Sequence, residues 1–398
     1  IALLVYLFQF GPKNKGRFSK RIIAILSAVS VLYSVYFISI GKTQSLSPHD
    51  HIIPYALNGG KDVTVPDLRD DRVRVDFYDS LDNSAMFWKV QSIQAFHSIV
   101  PGSLMDFYKA VGVKRDVASR PETENYPLRG LLSVKWLFDD SKDDEYFSNG
   151  ETGDTEMPGW LYYGNENGFD VWDNSYYVPM GFCYDYYVDR EYFDSLENKQ
   201  KQLLLLKAVV LENDQIERQQ GLLSPLPEED KVYSEDGYFN DCIERKSAVC
   251  DSFKYTQKGF TAEMNSYVDR FVFLSVPYEE GWTAYVNGEE KTIEKVNIGF
   301  MGVSIPKGEK VIIEFRYKTP GLSTGFLITF LSGSLLIVYV VLMKRIREKK
   351  KKDMPSKQGS IKCGKFIDYA KRAGAEFSSK KAMRPKQFVL EDPPDGYK

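Results

Sequence analysis

The sequence predicts membrane-spanning α-helices joined to an α+β domain that ends in an antiparallel part of β-sandwich or jelly-roll type. Three observations carry this. Residues 22–40 and 322–343 hold no charged side chain, over lengths near the roughly 20 apolar residues that a bilayer core demands of a helix. The mean hydropathy is nevertheless negative, -0.35, so most of the mass faces water. Residues 271–317 break into short runs separated by turn residues, as antiparallel strands do.

Taken in order, residues 1–10 (IALLVYLFQF) read as the end of a transmembrane helix whose beginning is missing, since a signal peptide would carry a charged start. Residues 11–21 hold five bases and no acid, and residues 344–352 are almost wholly basic. By the positive-inside rule both segments are expected in the cytoplasm. The spans at 22–41 and 320–343 then lead out and back, and residues 42–319 lie outside. Residues 42–343 contain 48 acids and 30 bases, a net charge of -18, while the whole chain is at -3. Such a domain repels polyanions, so nucleic acid is excluded as a partner. The tail 344–398 is polar and basic. It is expected to be largely disordered, with residues 349–352 at anionic lipid of the inner leaflet.

The outer region divides at about residue 250. In 42–250 a linker leads to a strand at 72–78 (RVRVDFY), where polar and apolar residues alternate. Residues 83–113 read as a helix broken at Pro101–Gly102, and 131–139 as a buried strand. Residues 141–158 read as a surface loop, and 195–218 as a helix packed on a sheet. Trp172, Tyr176, Tyr177, Tyr184, Tyr186 and Tyr187 form an aromatic cluster that serves either as sheet core or as a surface for sugar rings. In 251–319 strands are expected at 271–276, 283–286, 291–296, 300–305 and 311–317. Asn287–Gly288 makes a two-residue hairpin turn with positive φ at both positions.

Chemistry-bearing motifs are few. The acid pairs Asp70–Asp71, Asp139–Asp140, Asp143–Asp144 and Glu229–Asp230 sit in polar stretches. Catalytic carboxylates need instead to be held across a pocket with divergent pKa values. No catalytic residue, metal site or cofactor site is assigned. His49 and His51 are the one near pair of histidines, in a Pro-bearing loop. Trp160, Tyr162 and Tyr163, within PGWLYYGNENG, are candidates for an exposed carbohydrate platform. Trp282 and Tyr285 beside the hairpin are further candidates, with a core role as the alternative. Gly325, Thr329 and Gly333 recur every four residues, the spacing that lets membrane helices approach closely. Among the cysteines, Cys242 and Cys250 are near enough in sequence to close a small disulfide loop. Cys183 is then left over, and Cys363 lies in the tail.

Several motifs in order resemble the YfhO family: DNSAMFWKVQSIQAFHSIVPGSLMDFYKAVGV, LLSVKWLFD, FDVWDNSYYVPMGFCYD, and GWTAYVNGEEKTIEKVNIGFMGVSIPKGEKVIIEFRYKTPG followed at once by a span and a basic tail. The resemblance covers residues 20–345. It implies a multi-spanning bacterial glycosyltransferase of the C type, moving a sugar from a polyprenyl-phosphate donor to a cell-envelope polymer such as lipoteichoic acid. The family's catalytic acids would lie between earlier spans, so no residue here inherits that role, and a divalent metal would concern the parent protein. The alternative is a non-enzymatic, membrane-anchored module that binds envelope or carbohydrate.

Overall fold

The computed structural model describes residues 15–45, 63–78, 83–115, 118–140, 146–149 and 153–352. The expected helix end at 1–10, His49 and His51, Asp143–Asp144 and the tail from residue 353 lie outside the described residues.

Two long helices bracket the chain, Lys15–Ser45 and Leu322–Lys352. Each contains a stretch long and apolar enough to cross a membrane, Lys20–Gln44 and Leu322–Lys350, and the apolar side chains of both stretches are exposed. A helix apolar on every face needs an apolar surround. The first helix begins at Lys15, so part of the basic segment expected as loop is helical. The second runs on through the basic residues to Lys352.

Residues 63–320 form a mixed α/β body. Its first sheet has the order Arg74–Tyr78, Val134–Asp140, Phe169–Asn174, Trp160–Glu166. The first pair is parallel and the others antiparallel. One face carries Val75, Phe77, Trp136, Phe138, Phe169 and Val171. Trp88 closes that face, its ring edge-on to Phe77, Phe138 and Phe169 at 5.0–5.1 Å. The break expected at Pro101–Gly102 and the short helix expected after it, through Leu104–Val111, are present, the helix as Gly102–Ala110; the part before the break is shorter than expected, a helix only at Ser84–Trp88 and then a brief strand Ala95–Phe96. Burial of Trp88 on one side and of Phe107 and Tyr108 on the other sets these directions. The helix expected over 195–218 is likewise divided. Asn198–Lys207 and Asn213–Arg218 flank a strand, Val209–Leu211. Leu203, Leu204, Leu205 and Leu206 are all buried, so the first of these helices is enclosed rather than laid on a sheet. Phe147, expected on a surface loop, is fully buried against Trp160 and Trp172.

Residues 252–317 form a sandwich of two antiparallel sheets. One has the order Ser252–Thr256, Gly259–Ser266, Gly308–Tyr317, Trp282–Val286, Glu289–Lys291. The other runs Glu294–Val296, Phe300–Ile305, Arg270–Pro277, Phe182–Tyr184. Their inner faces share one core that includes Phe260, Ile313, Phe315, Val272, Leu274 and Val303. Gly259–Ser266 pairs with Gly308–Tyr317 and Arg270–Pro277 with Phe300–Ile305, but Trp282–Val286 lies beside Gly308–Tyr317 and not beside Glu294–Val296, so the nested pairing of a jelly roll is not completed. Residues 291–296 were expected as one returning strand. Only Glu289–Lys291 returns, and Glu294–Val296 crosses to the other sheet. The turn is as expected, with φ 51° at Asn287 and 85° at Gly288.

The boundary expected at residue 250 is bridged. Phe182–Tyr184 pairs with Arg270–Pro277. Buried Asn297 accepts from Val210 N–H at 2.8 Å and donates to the Tyr184 hydroxyl at 3.2 Å.

Candidate functional site

The predicted platform is taken apart by the sheet. Trp160 is 6% exposed and belongs to the core. Tyr162 and Tyr163 are exposed, on the edge strand Trp160–Glu166. Tyr162 lies opposite Trp172, with its ring 5.1 Å away. A bulge between Tyr162 and Gly164 adds one residue, and Tyr163 packs edge-on against Trp136 at 5.0 Å. Trp136 and Trp172 face opposite sides, because Leu137 is the residue paired with Trp172 and side chains alternate along a strand. The two tyrosines therefore cap opposite faces and make no common plane.

Trp282 and Tyr285 also part. Trp282 points inward with Ala284 and Val286 and meets Phe260 and Tyr317 at 5.4 and 5.0 Å. Tyr285 lies on the outer face, under the Arg316 guanidinium at 4.7 Å. Cys242 and Cys250 are both free thiols, which corrects the expected bridge. Cys242 lies in the core beneath Tyr238, and Cys250 lies in the sandwich core with Cys183. Burial pushes the Cys183 and Cys242 thiols up to about 12, which leaves them inert. Gly325, Thr329 and Gly333 form an exposed stripe, and the Thr329 hydroxyl donates to the Gly325 carbonyl at 2.8 Å.

A more open site lies where Asn213–Arg218 and the turn after it meet the sandwich. This groove has a volume of about 1020 Å³. Beneath the lining residues Arg218 and Gln219 lies Glu294, which is buried. Arg218 holds that carboxylate with both arms, Nε to Oε1 at 2.8 Å and Nη2 to Oε2 at 2.7 Å. The Gln215 and Gln219 amides each donate to it at 3.2 Å. Ser304 donates to Gln219 Oε1 at 2.6 Å and ties the far wall to the floor. On the rim, the turn at 266–269 is fixed by Ser266 Oγ donating to the Val268 carbonyl at 2.7 Å and by Lys307 N–H donating to Asp269 at 2.8 Å. That turn raises Tyr267, 86% exposed, beside the groove. Asn287, on the opposite rim, is bound through both its backbone N–H and its side-chain oxygen to Ile312. The lining is mainly polar. The Glu294 carboxylate is saturated by donors and is not free to act as an acid or base.

The model of the family described as bacterial membrane protein YfhO matches residues 61–237 and 241–329, more than half of the chain. The chain belongs to the YfhO family. Among curated proteins, an "Uncharacterized protein YfhO" of Bacillus subtilis (strain 168) is 28% identical over 101 residues. That alignment covers 25% of this chain and only 12% of the relative. No solved structure matches.

The match to the YfhO family takes in both walls of the groove and stops within the last helix. It also contains a smaller cavity of about 250 Å³. Its floor is the ion pair of Arg129 and Asp76, 2% and 1% exposed. Arg129 donates to Asp76 Oδ2 through Nε at 3.0 Å, and Gln94 and the Phe77 N–H donate to Oδ1. On its rim, Tyr78 and Thr123 each donate to Glu156 at 2.8 Å.

Among the described residues the acid pairs do not meet across a cavity. Asp70 is clasped by Arg72 at 2.7 Å, Asp71 accepts from Tyr255 N–H at 2.9 Å, and Asp139 accepts from Phe147 N–H at 3.0 Å. Glu229 and Asp230 lie on an exposed turn. Among the described residues no group of three His, Cys, Asp or Glu is placed to hold a metal. Neither the groove nor the Asp76–Arg129 pair was found from sequence. Their partners are 76 and 53 residues apart, and no local pattern announces them.

Proposed function

We propose that this chain is the C-terminal portion of a multi-spanning glycosyltransferase-like protein of the bacterial envelope. The parent would use a polyprenyl-phosphate sugar and act on a polymer of the teichoic-acid type, and its catalytic residues would lie outside this chain. In this reading the body is extracytoplasmic, the stripe Gly325, Thr329 and Gly333 packs on another span, and the body holds the acceptor polymer. The observation that carries the reading is the open polar groove with Tyr267 at its rim. An extended polymer needs a trough rather than a closed pocket, and an exposed aromatic ring gives a face on which a sugar can lie; although the body as a whole is acidic, Arg218, Lys291 and Lys307 line the groove and supply local positive charge for the phosphates of such a polymer. Membership of a bacterial membrane protein family supports the setting. The saturation of Glu294 and Asp76 by their donors supports binding without chemistry in this part.

The test is titration of the full chain in lipid nanodiscs with deacylated lipoteichoic acid. Tyr267→Ala should weaken binding on the order of tenfold, the effect of about 1.4 kcal/mol, and leave the melting temperature unchanged. Unaltered binding in Tyr267→Ala would remove the groove from the reading. Sugar transfer from a polyprenyl-phosphate donor by the purified chain alone would overturn the claim that catalysis lies elsewhere. Topology is tested separately in a Cys363→Ser background. An impermeant thiol reagent on intact cells should label a cysteine at Asn287 and not one at Lys15, and the reverse pattern would place the body inside.

A further inference from the structure

Residues 83–119 gather large apolar side chains on the surface. Met86 is 61% exposed, Phe87 50%, Phe96 45%, Ile99 93% and Met105 37%. Hydrogen bonds bring them together. Asn83, at the start of the helix Ser84–Trp88, exchanges two bonds with the backbone of Phe96, at 2.9 and 3.2 Å. Ala95–Phe96 pairs with Ala118–Ser119. Arg115 donates to the His97 carbonyl and to Met105 Sδ, both at 3.3 Å. The outward direction is enforced from beneath. Trp88 is locked in the core, which turns Met86 and Phe87 out. Phe107 and Tyr108 do the same for Met105.

The charge around this patch differs from that of the body. Residues 42–343 carry a net charge of -18, yet residues 83–120 hold five bases, Lys89, Lys109, Lys114, Arg115 and Arg120, against two acids. Apolar side chains with Lys and Arg around them make the pattern of surfaces that lie in a lipid headgroup region, with bases on anionic lipid. The tether agrees. Four residues, 318–321, separate the end of the strand Gly308–Tyr317 from Leu322, where the second membrane-length helix begins. The body is thus held within a short linker of a bilayer, and a contact with lipid costs little further loss of freedom.

We infer that the surface formed by Met86, Phe87, Phe96, Ile99 and Met105 docks on an anionic lipid bilayer and dips its apolar side chains below the headgroups. This stands whether or not the groove takes a polymer. It is tested with the full chain in vesicles. A polarity-sensitive fluorophore is attached at Ile99→Cys in a Cys363→Ser background, where the three other cysteines are buried. Ile99 is so exposed that the label leaves the fold intact, and the melting temperature confirms it. The control label is at Tyr267→Cys. In vesicles with one quarter phosphatidylglycerol, the Ile99 label should be quenched by nitroxide lipid and shielded severalfold from aqueous iodide. Lys109→Gln with Lys114→Gln, or purely zwitterionic vesicles, should reverse much of both effects. Iodide quenching at Ile99 equal to that at Tyr267 would overturn the inference. Shielding from both quenchers would also overturn it, since protein and not lipid would then cover the patch.

Discussion

Replacing Arg218 by Leu isolates the interaction that joins the helix Asn213–Arg218 to the sandwich. Glu294 lies with its side chain 3% exposed and Arg218 at 45%. In the native protein the carboxylate has four donors, two from the guanidinium and two from the Gln215 and Gln219 amides. Without Arg218 it keeps two neutral donors, and a buried charge loses its counter-ion. Breaking such a pair costs roughly 3–5 kcal/mol. The half-exposed position of Arg218 lets water into the vacated side, so a cost of about 3 kcal/mol is expected, near the lower limit of that range. A body of this size should then melt about 6–12 °C lower. Glu294→Gln keeps the shape and one acceptor, and it leaves Arg218 paired with Asp214 at 2.8 Å. It should cost about 1.5–3 kcal/mol, the worth of a lost charge-assisted bond. The double variant buries no unpaired charge and should be more stable than Arg218→Leu alone. The assay is thermal unfolding of the full chain in detergent, followed by tryptophan fluorescence. A midpoint for Arg218→Leu within 2 °C of the native protein would refute the argument. A double variant less stable than both single variants would refute the assignment of the cost to the stranded carboxylate.

Two further predictions concern the same body. Gly288 has φ 85°, and nothing lies within 4 Å of where a Cβ would stand. Gly288→Val therefore strains the backbone alone, by roughly 1–3 kcal/mol. Asn287→Asp retains the oxygen that accepts from Ile312 N–H and should melt with the native protein; equal midpoints for Gly288→Val and the native chain would mean the turn has another form. Asp173 is raised above its ordinary value by burial, against the pull of Lys135 and Lys246, and its Oδ1 has no hydrogen-bond partner. A carboxyl raised on folding adds stability fully below its unfolded pKa and loses it as pH rises through the folded pKa. Asp173→Asn should therefore melt higher than the native protein at pH 7, with the gap closing below about pH 4. A gap independent of pH would count against the cause named.

Much of the architecture was legible where the signal is local. A helix without charge over 19 residues has few stable settings other than a bilayer, so both membrane-length helices could be read directly. The Asn287–Gly288 turn could be read because positive φ at two successive positions narrows the choice of residues. The same signal stands at Asn167–Gly168, with φ 52° and 85°. It joins Trp160–Glu166 to Phe169–Asn174, and the hairpin there was not read from the sequence. The aromatic content of residues 160–187 was visible, but the side each ring takes was not. That depends on register and on one bulged residue at Tyr163, and a single inserted residue reverses every side chain after it.

The sequence by itself determined what each segment needs from its surroundings: lipid for the uncharged helices, water for the acidic body, and a tight turn at Asn287–Gly288. The tertiary structure alone decided which distant residues meet those needs together. Arg218 reaches Glu294, Arg129 reaches Asp76, and Phe182–Tyr184 leaves its neighbours to complete a sheet 90 residues away. Burial makes these choices. A charge or a strand edge taken out of water must find a partner wherever the packed chain supplies one, and distance along the chain does not enter that requirement.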